Sequence, residues 1–261
     1  MSLKDRFARP GPGIPKDAPR KKGLARFWEI VRRDIGSLML CGIVSTAGFL
    51  PLLIGILAAI SASNGILMIA AGLVGGAVAG PFLCALSDAI LRMLRDEPAF
   101  WWHTYKKALR QDWRASLLPG ALLGLVVSAL LFMSMTSAAS VTTAFLAGLV
   151  SLLITSMIVP LWFAQIALMD LPFATILKNS LIMAFAYAPR TLPAALVQAV
   201  YWGLMVFLLP WSMLVLPVFG LWLVSLVCLQ ILYIPLDKTF EIEKRINEKR
   251  ENALNAPPEE E

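Results

Sequence analysis

Three long stretches of this chain, 35–87, 115–169 and 191–236, contain no Asp, Glu, Lys or Arg. Each is more than twice the roughly 20 residues that one membrane-spanning helix needs. A soluble domain carries about a quarter charged residues, whereas this chain carries 15% and has a mean hydropathy of +0.73. The bilayer is therefore the expected solvent, and each stretch is expected to hold two helices and a turn. The sequence predicts an all-α membrane protein with six transmembrane helices arranged as three hairpins, at about 36–60, 66–90, 116–134, 143–169, 192–210 and 214–236.

The charges predict the orientation. Lys and Arg number ten in 1–34, six in 88–114, two in 170–190 and five in 237–261. With six spans, all four segments lie on one side, which the positive-inside rule makes cytoplasmic. The N- and C-termini are then both cytoplasmic, in an inner or plasma membrane. Residues 1–23, rich in Pro, Gly and basic side chains, are expected to be a disordered tail. Residues 24–237 form the membrane domain, and 238–261 a charged C-terminal tail. Cys41, Cys84 and Cys228 each fall within a span, so neither a disulfide framework nor a metal site is expected.

Each hairpin is preceded by a short segment with helical periodicity. Leu24 to Asp34 places Leu24, Phe27, Trp28 and Val31 on one face. In 98–114, Trp102, Tyr105, Leu109 and Trp113 share a face, with Trp101 beside them and Lys106, Lys107, Arg110 and Arg114 around them. That composition suits a helix lying in the membrane interface, where Trp and Tyr prefer to sit. This aromatic and basic surface is a candidate partner face or a contact for anionic lipids. Residues 171–188 are nearly apolar enough to span, but Lys178 and Asn179 at their centre favour an interfacial or re-entrant helix. The three segments recur at about 74 residues, with Pro81, Pro160 and Pro235 near-equivalent.

Gly72, Gly76 and Gly80 form a tandem small-residue stripe, the pattern that lets two helix backbones approach within a membrane, and Gly120 and Gly124 offer a second step. Asp88 and Arg92, one turn apart, are expected to pair. Gln165, Gln198 and Gln230 lie at similar depth, about 7 to 12 Å inside the cytoplasmic boundary at 1.5 Å per residue. Two readings follow. The glutamines, with Asp88 and Arg92, line a cavity open to the cytoplasm, or each bonds a neighbouring helix.

No phosphate-cradling loop, zinc spacing or serine elbow occurs in the sequence. No cofactor, nucleic acid or catalysis is expected. Only Asp88, Asp170 and His103 offer acid–base groups near the interface.

Gly80-Pro81, then Phe100, Trp101, Tyr105, Lys106 and Lys107, and later Leu177-Lys178-Asn179-Ser180 followed by Pro189-Arg190-Thr191, resemble the YesL-like family of small bacterial membrane proteins. The resemblance covers about 24–237. Ala108, Leu109, Arg110 and Gln111 depart from that family's lysine and asparagine pattern. The resemblance implies a role near carbohydrate uptake; because the polar side chains gather on the cytoplasmic surface, the expected function is a non-enzymatic accessory protein that docks the permease of an ABC importer or another membrane protein. The alternative is a small-solute transporter with its cavity at the glutamines.

Overall fold

The computed structural model describes residues 21–97, 100–136, 141–208, 211–246 and 248. The predicted disorder of the N-terminal tail, the outer turn near 137–140 and most of the C-terminal tail lie outside the described residues.

Among the described residues the chain is helical, without strands. The helices are α1 (Gly23–Gly48), α2 (Leu50–Ser61), α3 (Gly65–Leu94), α4 (Trp101–Gln111), α5 (Trp113–Thr136), α6 (Val141–Leu168), α7 (Phe173–Ala186), α8 (Ala188–Phe207), α9 (Ser212–Val215) and α10 (Leu221–Phe240). A π-helical turn, Leu216–Gly220, joins α9 to α10. Five apolar stretches are long enough to cross a bilayer: α1 with α2, α3, Trp113–Met133, Phe145–Leu168 and Val218–Phe240. The pair α7 and α8, bent by 101°, supplies a sixth if counted as one broken span. This is a multi-pass membrane protein.

The first span is not one helix. Pro51, in the first turn of α2, has no N–H to donate to the turn before it, and its ring crowds that turn. The chain breaks at Phe49, whose N–H bonds Thr46 O at 3.0 Å. A second irregularity lies at Asp34 (φ −119°, ψ 16°), which separates the amphipathic first turns of α1 from the apolar remainder. The last span also begins differently from expectation, through α9 and the π-helical turn.

The tightest packing is between α3 and α5. A Cβ added to Gly76 meets Gly124 Cα at 2.7 Å, and one added to Gly124 meets Gly76 Cα at 2.7 Å. Gly80 lies against Ser116 and Gly120, and Gly72 against Ser128 and Gly124. Lipid tails are as apolar as leucine, so this seam is held by close van der Waals approach rather than by the hydrophobic effect. A neighbouring side of α3, about 100° away, packs on α2 with the same economy, Gly75 against the Leu52 backbone and Gly55 within 2.8 Å of Ala71 Cβ for an added Cβ. A neighbour of the predicted stripe, Gly75, thus serves a second seam.

Larger side chains fill the other end of the bundle. From Cys84 to Leu94 nearly every residue of α3 is buried, among Leu161, Ala164, Leu226, Leu229 and Leu232 from α6 and α10. The helices α3, α6 and α10 touch one another, with the remaining spans around them. At its far end α10 stops at Glu241 (φ +50°), and the following turn folds back. Tyr233 OH donates to Glu243 Oε1 at 2.5 Å, and the Glu243 N–H donates to Asp237 Oδ1 at 2.8 Å. The chain just past α10 is therefore docked rather than projecting.

Candidate functional site

The polar side chains gather where α3 ends and α4 begins. The end of α3 is a Schellman turn, with the Asp96 N–H donating to Met93 O at 3.3 Å and the Glu97 N–H to Arg92 O at 3.0 Å. The turn requires a left-handed residue, and Asp96 takes it at φ +58°. Glycine is the usual occupant, but glycine has no carboxylate. The Asp96 carboxylate accepts from Arg26 Nη2 at 2.6 Å and also from Arg33. The same two arginines cap the helix backbone, Arg26 Nη2 donating to Leu94 O and Arg33 Nη2 to Met93 O, both at 2.9 Å. Cations at a helix C-terminus satisfy carbonyls without intrahelical partners and oppose the helix dipole. Burial alone would raise the Asp96 carboxyl, but the Arg33 and Arg26 hydrogen bonds hold it below its ordinary value.

A second chain of ions continues from this turn. Arg92 Nε donates to Asp88 Oδ2 at 2.8 Å, the pairing the sequence predicts, and Arg92 and Arg95 both reach Glu97. Asp112, in the junction between α4 and α5, lies near this pair. Burial, with Asp88 and Asp170 nearby and against the pull of Arg92, pushes its carboxyl up to about 6.

The helix α4 is rotated relative to expectation. Tyr105 is not on an outer face: it is 0% exposed, its OH 2.7 Å from Ser45 Oγ, and both hydroxyls reach Phe82 O at 3.3 Å. A phenol that finds polar partners is drawn inward with its ring. Burial raises its OH above the ordinary tyrosine value, although the Ser45 bond works against this. Trp101 is half-buried against the same core. What remains outside of the predicted face is Trp102, Lys106, Lys107 and Arg110 on α4 and Trp113 at the start of α5, with the two indoles 50% and 46% exposed. Arg114 stacks 5.3 Å from the Trp113 ring. Lys106, Lys107 and Arg110 pair with no acid among the described residues.

The three glutamines do not converge. Gln165 is fully buried and its Nε2 donates to Ser180 Oγ at 2.7 Å and Leu161 O at 3.2 Å, joining α6 to α7. Gln198 faces Cys228 across α8 and α10, Oε1 to Sγ 4.0 Å. Gln230 Nε2 donates to Gly23 O at 2.7 Å at the start of α1. Each makes its contact in a different helix pair, while Asp88 and Arg92 bond each other. A buried amide takes the nearest partner available, and depth alone does not specify which. The residues that sequence reasoning missed are Arg26, Arg33, Asp96 and Glu97. Their one local signal is the Asp-Glu pair directly after a helix end that lacks glycine.

Compared with family models, with curated proteins and with solved structures, the chain matches none.

Proposed function

We propose that the protein is a non-enzymatic accessory component of a bacterial cell membrane that docks a membrane partner through the outer arc of α4. In this reading the six spans form three hairpins, and α1's first turns, α4 and α7 lie on the cytoplasmic side with both termini. The observation that carries the proposal is the contrast in pairing: Arg26, Arg33, Arg92 and Arg95 all reach carboxylates within the chain, whereas Lys106, Lys107 and Arg110 on α4 reach none among the described residues. Unpaired cations flanked by two half-exposed indoles suit an acidic surface, since Trp and Arg are favoured anchors at interfaces. The YesL-like resemblance suggests what carries that surface, the permease of a carbohydrate importer.

The test is purification from the native membrane in mild detergent, with quantification of stoichiometric companions. Wild-type protein is expected to retain a permease-type subunit. A Lys106→Glu/Lys107→Glu variant and a Trp102→Ala/Trp113→Ala variant are expected to lose at least about four-fifths of it, with insertion and thermal stability unchanged. Full retention by both variants overturns the docking face. Loss of co-purifying anionic lipid without loss of any protein companion assigns the arc to the bilayer instead.

A further inference from the structure

The Asp34 kink of α1, the end of α3 and the first turn of α4 enclose a cavity of about 270 Å³. We propose that this cavity binds a small organic ammonium group. Its wall carries one guanidinium, Arg33, and three carboxylates, Asp34, Asp96 and Glu97. The acids differ in what they have left to offer. Both oxygens of Asp96 are taken by Arg26 and Arg33, and Glu97 is paired with Arg92 and Arg95. Asp34 gives only Oδ2 to Arg33, at 2.8 Å, which orients the carboxylate and leaves Oδ1 without a partner among the described residues.

Two further acceptors line the same space. The hydroxyls of Ser37 and Thr104 have no hydrogen-bond partner among the described residues. With Asp34 Oδ1 they make three acceptors on two elements, and an ammonium brings three N–H donors. Trp101 forms part of the wall, and an indole face attracts a cation. The volume lies just below the range of drug-sized sites, which suits a short alkyl chain. An ammonium of this kind reaches the cavity either as the headgroup of an aminophospholipid or as a free amine from solution. The chemistry recognised is the same.

The experiment is calorimetric titration of the full-length protein in detergent with n-butylammonium chloride, with sodium butyrate and 1-butanol as controls. In parallel, native mass spectrometry follows retention of phosphatidylethanolamine against phosphatidylglycerol. Butylammonium is expected to bind and the two controls not to. Asp34→Asn is expected to weaken binding at least about tenfold, and Thr104→Val about threefold to tenfold, in line with hydrogen bonds to a charged group. Retention of the aminophospholipid supports the site and makes the lipid its source. Binding of butylammonium without that retention also supports it and makes a soluble amine the source. Because Asp34 also pairs with Arg33, the Ser37→Ala and Thr104→Val variants, which keep every ion pair, stand in should Asp34→Asn fail to fold. Wild-type affinity in both of these, equal binding of 1-butanol, or no binding of either ammonium probe removes the site.

Discussion

The turn after α3 and the outer arc of α4 are less than twenty residues apart and carry similar side chains, yet they treat charge in opposite ways. At the turn, Arg26 and Arg33 are each held between a carboxylate and a backbone carbonyl, and the Arg26 side chain is only 9% exposed. On the arc, Lys106, Lys107 and Arg110 stand in the open without an acid among the described residues. The first arrangement spends its charge on the fold, tying α1 to the end of α3. The second leaves its charge without an acid among the described residues, the feature on which the proposed docking rests. Basic residues around this turn therefore divide by pairing rather than by type.

The largest expected effect falls on the turn. Asp96→Ala leaves Arg26 with Glu29 alone among its acids and Arg33 with Asp34, and is expected to cost about 2 kcal/mol, below the cost of breaking a fully buried pair because the Asp96 carboxylate is a third exposed. Lys106→Ala and Lys107→Ala are expected to stay within about 0.5 kcal/mol of wild type. Denaturant titration in detergent measures both, and equal losses would erase the distinction between the two regions.

A finer test separates conformation from charge at Asp96. Glycine in its place relieves the left-handed backbone by up to about 1 kcal/mol but removes the carboxylate, so Asp96→Gly is expected to lose about 1 to 2 kcal/mol net. A glycine variant more stable than wild type would show that the turn, not the ion pair, governs this site.

The smallest effect is one of pH, and the two acids respond with opposite signs. Asp112 is raised to about 6 in the folded protein, above the roughly 3.9 of an unfolded chain, so folding favours its protonated form. Stability is expected to fall as pH rises from about 4 to about 6, by about 1 kcal/mol once solvent screening of a half-exposed group is allowed for. Asp112→Asn should flatten that slope. Asp96 is lowered, so its contribution is present above the unfolded value and lost as pH falls through the folded one. Thermal melts of wild type and Asp112→Asn across pH 3.5–7 measure this; identical slopes would remove Asp112 from the account.

Much of the fold is legible without coordinates, because hydropathy along a chain is a property of the chain. The charge-free stretches mark the helices that can cross a membrane, and the short segments predicted to begin near 24, 98 and 172 emerge as the first turns of α1, as α4 with the first turn of α5, and as α7. Misreadings arise where one residue decides, as at Pro51, or where local left-handed geometry decides, as at Asp96 and Glu241. The site was less legible. Asp88 and Arg92 pair one turn apart on a single helix, so their contact follows from spacing. Asp96 meets Arg26 and Arg33 across more than sixty residues, and no local pattern connects them.

What the sequence alone determined is the solvent, the helical class and the presence of glycine stripes that require close neighbours. Tertiary structure decided which neighbour each stripe meets: Gly72, Gly76 and Gly80 face Gly120 and Gly124, while Gly75 faces α2. It also decided that Tyr105 turns inward and that the three glutamines part company. The reason is rotational. One residue turns a helix by about 100°, so a side chain's face is set by the helices packed around it, and in a bilayer the apolar pattern that would orient a soluble helix gives almost no preference.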